Sequence, residues 1–596
     1  MRIRQLFPVL LFTLIVSSCK TEREDDLSRD RPKPNIILIM TDDQGWGDLG
    51  INGNPGVNTP NIDQLTKDGA RFDRFFVSPV CSPTRAELLT GRYAVRGGVY
   101  STSSGGERLD LDETTIAEVF KRAGYHTAAY GKWHNGMQPP YHPNARGFDD
   151  FYGFCSGHWG DYFSPMLERN NEIVKGEGFL VDDLTDKGLA FIEANKDHPF
   201  FLYLPYNTPH SPMQVPDEWW QKYEGKELDS LYQDPEMQDI PFTRAAYAMC
   251  ENIDWNVGRI LTKLEELGMM ENTIVLYLSD NGPNGWRWNE GMRGRKGSTD
   301  EGGVRSPLAI KWKGKIEAGT IIPQITFAPD LLPTLADLAG IPVDTNKPLD
   351  GKSLKSLLLK EEGEWPERLL VSHWGNQTSV RSQDFRLDHE DRLYHIPSDP
   401  GQQVDVSSQY VDIKEKLLAK KKEWISTVLV ELPENDTRTF TIGHPDFANT
   451  QIPARDGQAH GNIQRSNRWP NDSFFTNWIS TEDKITWEVE VLETGTYEVE
   501  IYYTCTEENM APMMRLSMGD SYLSGLVNVP NDPPLVGMEY DRVPREESYV
   551  KDFRPFTLGS VYLEKGKGTL TLEATQIPGN QAIDFRLMTL RRVEEN

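Results

Sequence analysis

The stretch Val80-Cys81-Ser82-Pro83-Thr84-Arg85-Ala86-Glu87-Leu88-Leu89-Thr90-Gly91-Arg92 sets a cysteine two residues ahead of a proline and four ahead of an arginine. Proline suits the first turn of a helix, where its missing N–H is not needed. Leu88 and Leu89 supply an apolar stripe and Gly91 a stop. The spacing predicts Cys81 just before a helix N-terminus, where free N–H groups and the macrodipole favour an anion. Arg85, one turn on, can fork two oxygens of an oxyanion. A small buried cysteine capping a core helix is the plainer reading, so the other polar clusters must decide.

Those clusters are Thr41-Asp42-Asp43-Gln44, Gly131-Lys132-Trp133-His134, Asn207-Thr208-Pro209-His210 and Ser279-Asp280-Asn281-Gly282. Two adjacent carboxylates are costly unless a cation neutralises them. Asp42, Asp43, Asp280 and Asn281 offer only hard oxygen atoms, which suits one Ca²⁺ or Mg²⁺. With 11 histidines in the chain, and Asn where a second-metal His would follow Asp280, a two-zinc site finds few ligands. The segment 291–307 is rich in glycine and basic side chains, and its Lys296 can meet an anion as a point charge. Arg293 and Arg295 read equally as a solvated loop, and Arg305 as a brace.

Each cluster follows a short apolar run: 35–40, 126–130, 199–204 and 273–278. Continuous apolar runs of that length predict strands buried on both faces, hence a largely parallel sheet with helices on each side. In such a sheet ligands bind beyond the carboxyl ends of the strands. Residues 141–162, with Arg146-Gly-Phe-Asp-Asp-Phe-Tyr-Gly, read as an aromatic structural loop offering Ser156 and His158 to a substrate pocket. Residues 323–338 read as a core helix.

Cys-x-Pro-x-Arg followed by Leu-Leu-Thr-Gly-Arg, with Lys296-Gly-x-x-x-Glu-Gly-Gly-Val-Arg downstream, resembles the type I sulfatases over roughly residues 34–430. Thr84 departs from the commoner serine, while Cys81, Pro83 and Arg85 are intact. The resemblance implies an alkaline-phosphatase-like α/β fold and conversion of Cys81 to formylglycine by a maturation enzyme. It implies one Ca²⁺ on Asp42, Asp43, Asp280, Asn281 and the oxygen at position 81. Arg85, Lys132 and Lys296 would stabilise the sulfuryl oxygens. His210 would be the acid for the leaving oxygen and His134 the base, or the two reversed. The expected reaction is hydrolysis of sulfate monoesters, on a sulfated carbohydrate such as ulvan, carrageenan or a glycosaminoglycan. A phosphomonoesterase or phosphodiesterase of the same superfamily is the rival enzyme, and an inactive glycan-binding surface lipoprotein the non-enzyme reading. Trp286, Arg287 and Trp288 are candidates for sugar contact.

The chain of 596 residues carries a formal charge of −27. That excludes a basic nucleic-acid footprint and means that sulfate affinity must come from a local cluster. Five cysteines without evident pairing speak against a disulfide framework. Two arginines in the first five residues, an apolar run 6–16 and Ser17-Ser18-Cys19 predict a signal peptide over 1–18. Small residues before Cys19 resemble a bacterial lipobox, so the expectation is an exported lipoprotein, at the outer membrane or cell surface and tethered by 19–33. A plain secretory signal leading to the periplasm is the alternative.

The catalytic domain is expected over 34–365, and a small antiparallel subdomain over 366–432. That subdomain has strands at 369–374, 379–387 and 393–396, a helix at 411–428, and His373 and Trp374 as pocket-edge candidates. Alternation at Ile485, Trp487, Val489, Val491 and at Tyr497, Val499, Ile501, Tyr503 predicts an all-β sandwich over 438–594. It loosely resembles a carbohydrate-binding module, and a purely structural buttress reads as well.

Overall fold

The computed structural model describes residues 33–228 and 232–593. The expected signal peptide, Cys19 and nearly all of the tether lie outside the described residues. Residues from Pro34 onward form one compact unit.

Strand β1 (Asn35–Thr41) is buried along its whole length. Side chains alternate across a strand. Ile36, Leu38 and Met40 therefore enter one apolar cluster with Phe72, Leu88 and Phe120. Ile37 and Ile39 enter another with Ile62, Leu184 and Ile253. Both faces need a helical cover. Helices α1 (Pro60–Lys67), α2 (Cys81–Thr90), α3 (Ile116–Arg122) and α4 (Leu180–Ala194), with the long helix Ile240–Glu266, supply it.

The remaining strands of this sheet are β2 (Ala70–Phe76), β3 (His126–Lys132), β4 (Asp150–Phe154), β5 (Met166–Arg169), β6 (Glu172–Lys175), β7 (Phe200–Pro205), β8 (Thr273–Ser279), β9 (Arg305–Ser306), β10 (Leu308–Trp312) and β11 (Thr320–Phe327). Their order is β11-β2-β10-β8-β1-β7-β3-β4-β5-β6, with β9 on β2. Neighbours from β8 through β4 run parallel, whereas β10, β5 and β6 are antiparallel additions. Thr41 pairs with Ser279 and Met40 with Pro205. The residues after β1, β8 and β7 thus emerge side by side at one edge.

Three sequence expectations are corrected here. Residues 141–162 are not wholly a loop, because 150–154 form β4. Its paired aspartates and Gly153 disguise it, yet that glycine is required: a Cβ there would lie 2.0 Å from the Gly131 carbonyl oxygen. Residues 323–338 are not one helix. Thr320–Phe327 is edge strand β11, and the helix is confined to Leu331–Leu338. Pro323 is tolerated because an edge strand has unpaired N–H positions. The run 379–387 is two strands, Gln377–Arg381 and Phe385–Leu387, folded back on each other.

Those two strands, with Leu370–Trp374 and Leu393–His395, make the four-stranded C-terminal sheet. Helix Val411–Thr427 covers it through Leu417 and Trp424. Arg381 and Arg386 of this sheet reach Glu301 at 3.1 and 3.0 Å. Burial opposes ionisation of Glu301, but the two guanidiniums hold its carboxyl down to about 2. The small sheet is in this way docked to the segment that carries Lys296.

The C-terminal region forms two six-stranded sheets sharing one core. Strand Lys484–Val491 pairs with Gly566–Gln576 in one sheet. In the other, Gly495–Thr504 lies between Arg554–Leu563 and Asp584–Arg592. The inward residues are the alternating apolar set read from the sequence, from Ile485 to Tyr503. The sandwich packs directly on the α/β unit. Arg108 donates to the carbonyls of Thr439 and Arg438 at 2.7 and 2.9 Å, and Phe163 stacks on Tyr540 at 3.8 Å.

Candidate active site

Helix α2 begins at Cys81 itself, with Val80 as its extended N-cap, so Pro83 is the third helical residue and not the first. No side chain caps the first-turn amides, so the backbone donors and the positive end of the dipole point at whatever position 81 carries. All ten residues of α2 are buried, and Gly91 ends the helix in the left-handed conformation. Such a helix is held by its surroundings and fixes Cys81 and Arg85 rigidly.

Strand ends supply the rest. Asp42 and Asp43 follow β1, His134 follows β3, His210 follows β7, and Asp280 and Asn281 follow β8. Asp43 and His134 both adopt positive φ, 66° and 63°. Non-glycine residues reach that region at a cost, and functional sites concentrate such residues. Arg85 donates through Nη2 to Asp280 Oδ2 at 2.7 Å and through Nη1 to the Lys132 carbonyl at 2.7 Å. Lys132 Nζ donates to Asp42 Oδ2 at 2.7 Å. Lys296 Nζ meets Asp43 at 2.7 Å, and Asn281 Nδ2 donates to Asp43 Oδ1 at 2.8 Å. His210 Nε2 lies 3.6 Å from Asp43 Oδ2. The structure thus brings together Asp42, Asp43, Cys81, Arg85, Lys132, His210, Asp280, Asn281 and Lys296.

The electrostatics are those of a crowded acidic pocket. Burial and the nearby Asp42 carboxylate push Asp280 up to about 6 despite Arg85. Burial also disfavours ionised Asp43, yet Lys296 and His210 hold its carboxyl below the usual range. Burial pushes the Cys81 thiol up. The ammonium of Lys296 is held charged by Asp43.

A metal fits these residues. Asp42 Oδ1 and Asn281 Oδ1 are buried without a hydrogen-bond partner. Asp42, Asp280 and Cys81 place one donor atom each within 4.8 Å of one another. An orphaned buried carboxylate oxygen is expensive, and oxygen donors of this kind suit a hard divalent cation.

Buried His134 has one nitrogen engaged: Nε2 donates to the Thr102 carbonyl at 2.8 Å. A carbonyl can only accept, so the proton sits on Nε2 and Nδ1 keeps its lone pair, with no partner. Burial and Lys132 keep the ring neutral well below its ordinary pKa. His210 is arranged the other way round. Its Nδ1 donates to the Ser211 carbonyl at 2.6 Å and Nε2 faces the acidic cluster. Burial and Lys296 lower it to about 4. His158, one of the two pocket candidates, stacks on His210 at 6.0 Å with its own Nε2 unpartnered. The other, Ser156, donates to Asn471 Oδ1 at 3.2 Å.

Arg287 is not a sugar contact. It is buried, holds both oxygens of Asp48 at 2.8 and 2.6 Å, and donates to the Asp43 carbonyl at 2.9 Å. It braces the turn that carries the two aspartates. Trp288 packs on Trp46, and Trp286 on Tyr232 with Arg295 above it. Arg293 ties Asp300 to Asp388. Arg305 lies over Trp46 and donates to the Asp73 carbonyl at 2.9 Å. His373 and Trp374 line a cavity of about 290 Å³ with Ser78 and Pro83.

Three further residues stand at the site that the sequence does not single out as functional. Asn207 presents both amide atoms buried and unpaired; only its place beside the His210 segment hints at it. Asn471 and Glu547 reach the site from the sandwich, and no local pattern marks them.

The Sulfatase family profile matches residues 34–341. The chain is similar to N-acetylgalactosamine-6-sulfatase of Mus musculus, at 33% identity over 58% of this chain and 69% of that protein. It is similar to arylsulfatase A of Homo sapiens, at 36% identity over 55% and 68%. Among solved structures it resembles Ps i-CgsB in complex with k-i-k-neocarrahexaose, with 31% identity, 66% of this chain and 92% of that one covered, and a TM-score of 0.60.

Proposed function

Since the chain belongs to the sulfatase family and is a sulfuric ester hydrolase, we propose that it removes sulfate from a sulfated polysaccharide or its oligosaccharides, using formylglycine made from Cys81 and one Ca²⁺. The observation that carries the reading is the placement of Cys81. It starts a buried helix whose amides are uncapped, among Arg85, Lys132 and Lys296 and beside a carboxylate cluster with orphaned oxygens. As a thiol, Cys81 is a poor nucleophile, because burial raises its pKa and only the thiolate attacks. Glycan relatives supply the substrate class: N-acetylgalactosamine-6-sulfatase by name and the neocarrahexaose complex by its ligand.

Formylglycine at position 81 would supply, as its hydrate, two hydroxyls on one carbon, the chemistry of a nucleophile that replaces the sugar alcohol on sulfur and is regenerated when sulfate leaves. Asp42, Asp43, Asp280 and Asn281 would hold Ca²⁺, which would supply positive charge to the sulfate ester. Around that centre, Lys132, Lys296 and Arg85 stabilise negative charge without reorganising, because their own partners already fix them. His134 Nδ1 holds the lone pair that a base needs. His210 Nε2, 3.6 Å from Asp43 Oδ2, would donate to the leaving oxygen, and a bound sulfate's charge would help it to hold a proton. Arg287 and Asp48 keep the aspartate turn in place.

The test has two parts: mass spectrometry of the peptide containing position 81, from protein matured in a competent host, and sulfate release from defined sulfated oligosaccharides. Aldehyde at position 81 with sulfate release is expected; full activity with an unaltered thiol overturns the mechanism. For Cys19 the corresponding proposal is lipidation, expected as palmitate labelling that Cys19→Ala abolishes.

A further inference from the structure

The sandwich hairpin formed by Gln464–Arg465 and Phe475–Thr476 reaches the rim of the catalytic centre. Asn471 in its loop donates to the Thr102 carbonyl at 3.0 Å, the same oxygen that His134 uses. The hairpin also meets the segment after β4. A Cβ on Gly157 would lie 2.3 Å from Asn471 Nδ2 and 2.7 Å from His134 Nε2. Gly160 N–H donates to Asp472. A second sandwich segment approaches from the His210 side, where Ser211 Oγ donates to Glu547. The two segments are tied together by Ser466 and Ser548 hydroxyls at 2.7 Å, and by Asn467 Nδ2 donating to the Glu546 carbonyl at 2.6 Å. The pair straddles the loops of both candidate catalytic histidines.

The outward tip of this hairpin carries Trp469, 48% exposed, with the Arg468 guanidinium 4.8 Å over its ring. The backbone N–H of Trp469 donates to Asn467 Oδ1 at 2.9 Å, which holds the loop at that point. It stands two residues from Asn471, a span of at most about 7 Å along the chain. A large exposed aromatic beside a guanidinium, two residues along the chain from Asn471 at the rim of the catalytic centre, has the chemistry of a sulfated sugar subsite. The ring face takes the apolar face of a pyranose, and the guanidinium takes a second sulfate or a carboxylate. Arg468 Nη2 is paired with the Glu546 carboxylate at 2.6 Å in an exposed ion pair, so an incoming sulfate uses the remaining guanidinium N–H groups or displaces that carboxylate.

We propose that the hairpin Gln464–Thr476 is a saccharide subsite of the catalytic centre, with Trp469 and Arg468 contacting the sugar next to the one being desulfated. The sandwich then extends the active site and is neither a remote binding module nor a mere buttress. The proposal rests on the sulfated-carbohydrate reading above.

The test uses the matured full-length enzyme and its Trp469→Ala, Trp469→Phe and Arg468→Ala variants on a sulfated monosaccharide and the corresponding tetrasaccharide. Wild type should favour the tetrasaccharide in kcat/KM. Trp469→Ala should lower the tetrasaccharide-to-monosaccharide ratio about five- to tenfold, and Trp469→Phe should recover most of it. Arg468→Ala should lower the ratio further as the second anionic group is added. Tetrasaccharide binding to the full-length Cys81→Ala protein, which has no nucleophile at position 81, should weaken similarly with Trp469→Ala when measured by calorimetry. An unchanged ratio, equal losses on both substrates, or no length preference in wild type overturns the subsite. No sulfate release from either substrate by wild type counts instead against the proposed function.

Discussion

Arg85 Nη2 and Asp280 Oδ2 meet at 2.7 Å, and neither side chain reaches solvent. Two charges so deep survive only together. The same guanidinium also holds the Lys132 carbonyl, so one residue joins helix α2 to the ends of β3 and β8. Arg85→Ala in metal-free protein leaves Asp280 buried beside Asp42 without its direct ion-pair partner. It should cost about 3–5 kcal/mol of stability, read by chemical denaturation. Arg85→Lys keeps the charge but loses the fork, and should lower kcat about a hundredfold or more, read by sulfate release.

Cys81→Ser places one hydroxyl where the mechanism asks for two. The variant should fold, lose steady-state turnover and accumulate a covalent sulfate adduct visible by intact-mass measurement. Wild-type turnover in this variant would refute the formylglycine mechanism.

Chelation should abolish activity, and Ca²⁺ should restore it. Added Ca²⁺ should raise the unfolding temperature, because a ligand that binds only the folded state stabilises by mass action. In Asp42→Asn both effects should weaken, since a ligand charge is lost. If chelated protein keeps its activity and its melting temperature, the oxygen cluster is not a metal site.

His134 is held neutral by burial and by Lys132. Its Nδ1 therefore remains a base at pH values below its ordinary 6.5. The acid limb of kcat should lie below pH 6.5, and His134→Ala should lower kcat by about 10²–10⁴. An acid limb above pH 6.5 would assign the base elsewhere.

Glu87 on α2 is pushed up to about 8 by burial, against hydrogen bonds from Ala94 and Ser78. A folded pKa above the unfolded value gives stability that is complete below pH 4.5 and is lost as pH rises through 8. Glu87→Gln removes that titration. The variant should gain on wild type from pH 5 to pH 8, by about 1–3 kcal/mol, in denaturation run at both values. A constant difference would show that Glu87 does not titrate in this window.

The central strands and the residues at their carboxyl ends were legible because a strand buried on both faces must be apolar throughout. The polar groups that follow it then stand out, as Asp42 does after Met40. Strand β4 was hidden because its close approach to β3 requires Gly153, and the Asp149-Asp150 pair at its start reads as a turn. Residues 323–338 misled for a related reason. Pro323 suits an edge strand, and edge position is a property of the sheet and not of the segment. Arg287, in a Trp-Arg-Trp run, has the composition of a sugar contact, and only its burial against Asp48 shows that it is a brace.

By itself the sequence determined the chemistry on offer: a cysteine at a helix start, hard oxygen atoms in pairs, and cations and histidines on separate strand ends. Local spacing suffices for that, because each group is presented by the element it follows. The tertiary structure decided which groups meet. It set Asn281 and Lys296 on Asp43, fixed the His134 tautomer through Thr102, and brought Asn471 and Glu547 of the sandwich to the same rim. Contacts between residues hundreds of positions apart depend on how sheets pack, and no periodicity in the chain encodes them.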